Sequence, residues 1–172
     1  SLSLDAGLNP AILILLASTM PPQKLLLTNH QSPGDIVMLT AAVRDLHRTY
    51  PDQYLTDVRT SCPQLWENNP HLTPLKDDEA DLRTIECRYP LVNFANERPY
   101  HFLHGFIHYL NGQLRLAIRP WEIRGDIHLS DNEYDAPSAV EKMLGQDIPF
   151  WIVCAGGKYD FTIKWWDHER YQ

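Results

Sequence analysis

Cysteine is scarce in this chain. Cys62, Cys87 and Cys154 are odd in number and far apart, and no CxxC pair occurs. A disulfide framework and a zinc ribbon are both disfavoured by that spacing, and a reducing, cytoplasmic setting is expected. Positive charge is also short, with 15 Lys and Arg against 22 Asp and Glu and a net charge of −7. A general nucleic-acid binder needs a basic stripe, so none is expected as a partner. Long apolar runs are missing too. The most apolar stretch near the start, Ala11–Ala17, falls well below the roughly 20 residues that span a bilayer. It also lacks the basic lead-in of a signal peptide. No transmembrane segment is expected, with peripheral membrane contact left open. Absent as well is a GxGxxG fingerprint, which argues against an ordinary dinucleotide-binding protein.

Ordered periodicity is what the chain does have. Its hydrophobic content of 44% is enough for a real core. From Lys24, KLLLT reads as a short buried strand. Ile36, Leu39, Val43, Leu46 and Tyr50 then recur at spacings of three and four, which places them on one face of a helix over 35–50 that Pro51 ends. QYLTDV supplies the next strand, completing a βαβ unit with a right-handed crossover. SCPQLWENNP reads as a short helix and LRTIECRYPLV as a further strand. YHFLHGFIHYLNG reads as an amphipathic helix stopped by Gly112. GDIHLSD is a strand candidate, and APSAVEKMLGQD a helix that starts near a serine and ends near Gly145. This alternation predicts an α/β fold, a Rossmann-like open and mostly parallel sheet. Residues 1–23 read as a leader and 24–146 as the Rossmann-like domain. Residues 147–172 read as the first strand and Gly-Gly-Lys turn of a second, incomplete domain.

Two corners attract attention, because ligands of open α/β sheets bind beyond the carboxyl ends of strands. The first is HQSPGD, which ends in Asp35 where a strand hands over to a helix. A carboxylate there is stabilised by the helix dipole and stays ionised. It serves either as a helix cap or as an acceptor of a proton from a hydroxyl. A phosphate beside it is disfavoured. The second corner is CAGGK. Gly156 and Gly157 let backbone approach a ligand, and Lys158 and Lys164 add positive charge, which suits a diphosphate. Otherwise it is a tight turn. His101, His104 and His108 share a helical face, but no carboxylate or cysteine follows at a helpful spacing, so no metal is expected. A lone acceptor-site histidine fits better. Trp165 and Trp166 read as packing residues, and Cys154 as an inert small hydrophobe.

KLLLTNHQSPGDIVMLTAAVRDLHRTYP resembles the opening of the ADP-heptose:lipopolysaccharide heptosyltransferase family, glycosyltransferase family nine. There a strand runs into a Ser/Met-x-Gly-Asp turn and an apolar helix. PFWIVCAGGKYDFTIKWWDHERYQ resembles the start of that family's second domain. The two stretches cover about a third of the chain. The resemblance implies a GT-B fold, of which this chain holds the acceptor-side half, and an inverting, metal-independent transfer without a cofactor. It implies a nucleotide-sugar donor, with ADP-heptose the best-known one, and a glycan, lipid-linked or protein acceptor. Asp35 would be the catalytic base. Ser32, Gly34 and His104 fall on the acceptor side, and Gly156, Gly157, Lys158 and Lys164 on the donor phosphates. The alternative expectation is a non-catalytic module that binds a glycan or a protein.

Overall fold

The computed structural model describes residues 21–88 and 101–152. Strand β1 (Gln23–Asn29) carries three consecutive leucines, Leu25 to Leu27, all buried. Such a run, apolar on both faces, suits the centre of a parallel sheet. That is where it lies. β2 (Tyr54–Thr60) pairs on one side and β3 (Leu82–Glu86) on the other, both parallel, in the order β2-β1-β3. Leu25 stands opposite Thr56 and Arg83, and Leu27 opposite Val58 and Ile85. The result is a small open parallel α/β sheet of the Rossmann-like kind.

Helix α1 (Pro33–Thr49) makes the crossover from β1 to β2. Ser32 caps it and Pro33 occupies its first turn, where a missing N–H costs nothing. Tyr50, held out of helical geometry by the proline that follows, closes it. Ile36, Leu39, Val43 and Leu46 are fully buried, as their spacing predicts, and Tyr50 is packed against the core. Helix α2 (Phe102–Leu114) adds Leu103, Phe106, Ile107 and Leu110 to the same cluster. Leu25, Leu27 and Ile85 join that cluster from the sheet. Each such side chain contributes about 1.5–3 kcal/mol when withdrawn from water. Leu26, pointing the other way by strand alternation, is buried outside that cluster.

Three expected elements differ. The short helix at SCPQLWENNP is a single 3-10 turn, Pro63–Trp66. Gly112 does not stop α2, which runs on to Leu114 because that leucine is buried in the core. Arg115 ends it instead, in left-handed geometry at φ 56°. The strand expected at 125–131 is absent, and residues 121–130 contain no strand. Residues 117–126 form an irregular strap running back along α1, its amides bound by helix side chains rather than by a neighbouring strand. Ala117 N–H donates to the Tyr50 hydroxyl at 2.9 Å, and Arg119 N–H to Thr49 Oγ1 at 3.1 Å. Trp121 N–H donates to Asp45 Oδ2 at 3.2 Å, and Asp126 N–H to Thr40 Oγ1 at 2.7 Å. Backbone groups need partners, not necessarily strands.

The chain divides into two compact units, Ser1–Ser130 and Asp131–Gln172. The boundary expected at 146/147 falls inside the second. That unit holds α3 (Asp131–Tyr134) and α4 (Ala139–Leu144). As its sequence suggests, α4 is capped by Ser138, whose Oγ accepts from Glu141 N–H at 3.0 Å, and closes at Gly145. The described part of the strand expected from residue 148, up to 152, carries no strand, and the rest lies outside the described residues. Among the described residues, no helix is long and apolar enough to cross a membrane.

Candidate functional site

The strand order reverses at β1, whose two neighbours come next in the chain on opposite sides. A ligand crevice is expected at the carboxyl end of such a strand. β1 ends at Asn29, which is 2% exposed and fully committed. Its Nδ2 donates to the Cys87 carbonyl at 2.8 Å, tying the ends of β1 and β3 together, and to Gln31 Oε1 at 3.2 Å. Its Oδ1 accepts from Gln31 N–H at 2.8 Å. From the β2 side, Ser61 N–H donates to the Asn29 carbonyl at 3.2 Å and the Ser61 hydroxyl to the Gln31 carbonyl at 2.6 Å. The corner is pinned from both flanks before α1 begins.

Ser32, Gly34 and Asp35 sit together on the first turn out of that corner. Asp35 Oδ2 accepts from Ser32 N–H at 3.2 Å, closing half of a capping box. The carboxylate is half-buried, one oxygen turned to the cap. Gly34 is exposed, and nothing lies within 4 Å of where its Cβ would be. At the carboxyl end of β3, Glu86 is exposed and held below the usual carboxylate range, chiefly by its hydrogen bond from Arg88 at 3.0 Å. The Tyr109 hydroxyl, reaching over from α2, donates to the Glu86 carbonyl at 2.9 Å. Cys87 is buried, and burial pushes its thiol up to about 12, which leaves it inert as a nucleophile.

His101, His104 and His108 do not form one cluster. His101 caps α2 through Nδ1, which accepts from Leu103 N–H at 3.3 Å. His104 is half-buried with its ring edge-on to that of His101, 6.1 Å away, and His108 is exposed. Among the described residues no group of three or more His, Cys, Asp or Glu is arranged to hold a metal ion. Gly156, Gly157, Lys158, Lys164, Cys154 and the Trp165–Trp166 pair lie outside the described residues.

A second polar assembly, on the flank of α1 under the strap, is absent from the sequence reading. Arg44 is 1% exposed. Its Nε donates to Asp45 Oδ1 at 2.9 Å, and its Nη1 and Nη2 to the carbonyls of Arg124 and Glu122 at 3.1 and 2.9 Å. Asp126, 3.8 Å from Arg44 through its other oxygen, is bound by His128 at 2.9 Å and faced by His71 at 3.8 Å. The His71 ring stacks on that of His47 at 5.2 Å, and His47 Nε2 meets Thr56 Oγ1 at 3.0 Å. Burial holds His47 down to about 4, with His71 adding to the depression and Asp52 opposing it. His71 is lowered too, first by burial, against the pull of Asp126. Both rings are therefore neutral at neutral pH. The one local signal was the i, i+2 spacing of Asp126 and His128, which puts both on one side of an extended chain.

Comparison of the chain with protein-family models, with curated proteins and with solved structures gives no match.

Proposed function

We propose that this chain is the acceptor-side part of a GT-B glycosyltransferase, with Asp35 as the base. In this reading the acceptor hydroxyl loses its proton to the Asp35 carboxylate as its oxygen attacks the anomeric carbon of a nucleotide sugar. The bond from that carbon to the diphosphate breaks, and the configuration inverts. Lys164, with Lys158 and the Gly156–Gly157 turn, would offset the charge growing on the leaving diphosphate. The observation that carries the reading is the placement of Asp35: half-exposed, beyond the carboxyl end of the strand where the sheet order reverses. A carboxylate in that place disfavours a phosphate and favours a hydroxyl. Heptose is the first sugar to try, with a glycan, lipid-linked or protein acceptor.

The test compares Asp35→Ala and Asp35→Asn with the parent protein in transfer from ADP-sugars. A general base is worth about 10²–10⁴-fold, so both variants should lose at least a hundredfold in kcat with folding retained. Parent-like turnover in both would end the assignment. One observation favours a second reading, a non-catalytic module that binds a glycan or a protein. The Asp35 carboxylate already accepts a hydrogen bond from Ser32 N–H, and a capping role alone explains it. Glycan binding without nucleotide, unchanged by Lys164→Ala, would favour that module.

A further inference from the structure

Where the strap meets the last turn of α1 lies a pocket of about 350 Å³, lined by Arg48, Thr49, Tyr50, Ala117, Arg119 and Trp121. That volume is within the roughly 300–1,000 Å³ of small-molecule sites. Two hydrogen bonds hold its two sides together, from Arg119 N–H to Thr49 Oγ1 at 3.1 Å and from Ala117 N–H to the Tyr50 hydroxyl at 2.9 Å. Its charged lining is all cationic. Arg48, Arg119 and Trp121 are exposed, Trp121 by 60%, so a ligand can reach them. The Arg48 guanidinium lies 5.9 Å from the centre of the Trp121 ring. Its Nη1 binds one oxygen of Glu122 at 3.1 Å, and Arg124 holds the other. Three guanidiniums thus stand against one carboxylate. The Arg119 side chain makes no hydrogen bond or ion pair among the described residues. On a chain of net charge −7 this patch still draws anions, because carboxylates beyond about 8 Å are screened at physiological salt.

The chemistry of the ligand follows from the lining. A guanidinium fork matches the oxygens of a phosphate or a carboxylate. Two forks on one pocket favour the group with more charge and more acceptors, a phosphate monoester of about −1.5 to −2 with three free oxygens. The carboxyl end of α1 opposes an anion, but its dipole amounts to roughly half a charge against two full ones. Trp121 adds a use for the rest of the molecule, an exposed aromatic ring against which a base or a sugar ring can lie. We infer that this pocket binds an organic phosphate monoester, its phosphate on Arg119 and the remaining nitrogens of Arg48, its ring against Trp121. A nucleotide and a sugar phosphate share that chemistry, and the test separates them. The site lies about 20 Å from Asp35 along α1 by the rise per residue. It stands whether or not the chain transfers a sugar.

The test titrates AMP, glucose-6-phosphate, adenosine and inorganic phosphate. It follows the Trp121 indole N–H signal by ¹⁵N–¹H NMR, identified by its loss in Trp121→Phe. At least one monoester should shift that signal saturably and bind at least about fivefold more tightly than inorganic phosphate, the contribution of ring stacking. A shift with AMP alone assigns the site to a nucleotide, and with glucose-6-phosphate alone to a sugar phosphate. Adenosine, without the phosphate, should leave the signal in place. Arg119→Ala should weaken the tighter ester at least about tenfold, the loss of a charge-assisted hydrogen bond. Lys164→Ala, at the donor-phosphate residue of the transferase reading, should bind that ester unchanged, which separates failure of this site from failure of that reading. The inference is overturned if neither ester moves the signal at millimolar concentration or if inorganic phosphate binds as tightly as both. It is overturned equally if Arg119→Ala leaves the affinity intact or if Lys164→Ala abolishes it. Should Trp121→Phe fail to fold, calorimetry on the parent and Arg119→Ala decides alone.

Discussion

Asp35 and Asp45 lie on the same helix and are treated in opposite ways. Asp35 is half-exposed and accepts one hydrogen bond at 3.2 Å from the turn beside it. Asp45 is fully buried, paired with Arg44 at 2.9 Å and bound by Trp121 N–H. Asp35 therefore keeps an oxygen to spare for a ligand, whereas Asp45 has none and serves only to bind the strap to the helix. Burial of a charge makes its partners compulsory. Exposure leaves a carboxylate free for chemistry. The polar density of a region is thus a poor guide to its activity: the richer assembly, under the strap, is the structural one, and the sparse corner is the candidate site.

Arg44→Met attacks that contrast most directly. It strands Asp45 and frees the strap, and should cost about 3–5 kcal/mol in urea unfolding; a loss below about 1 kcal/mol would mean that the pair is not structural. Gly125→Ala comes next. An added Cβ would run into the Val37 side chain and sit 3.2 Å from the Val37 carbonyl, so the strap must shift. A cost of about 1–3 kcal/mol is expected, and a neutral outcome would show the strap to be loosely held.

Acid sharpens the contrast further. His47 titrates near 6.5 unfolded and near 4 folded, so the unfolded chain holds more protons between those values. Its contribution is whole above about pH 6.5 and is lost as pH falls toward 4. His71 is shifted in the same direction. His47→Gln should flatten the fall in stability over that window, and an unchanged profile would exclude this flank as its source. The smallest effect belongs to Asp35→Ala, about 0.3–1 kcal/mol for the lost favourable charge in the first helical turn. A loss as large as that of Arg44→Met would place Asp35 with the structural carboxylates.

The parts legible beforehand were those written in local pattern. The leucine run of β1 and the three-four spacing of α1 reappear as buried central strand and buried helix face. The first-turn place of Asp35 was readable for the same reason, although the cap itself is Ser32 and the helix begins at Pro33. GDIHLSD misled because alternation reports only an extended chain with two different sides. It does not say whether hydrogen bonds come from a strand or, as here, from Thr40. The stacked His47–His71 pair and its neighbour Asp126 come from three distant points of the chain, and no spacing rule joins them.

A segment fastened by side chains obeys a different clock from one laced into a sheet. The amides of Ala117, Arg119, Trp121 and Asp126 each hang on one side-chain oxygen of the helix or its cap. Each can swap its hydrogen for deuterium when that single latch lets go, while β1, hemmed in on both edges, waits for the whole unit to open. Those four amides should therefore exchange ahead of the amides of β1.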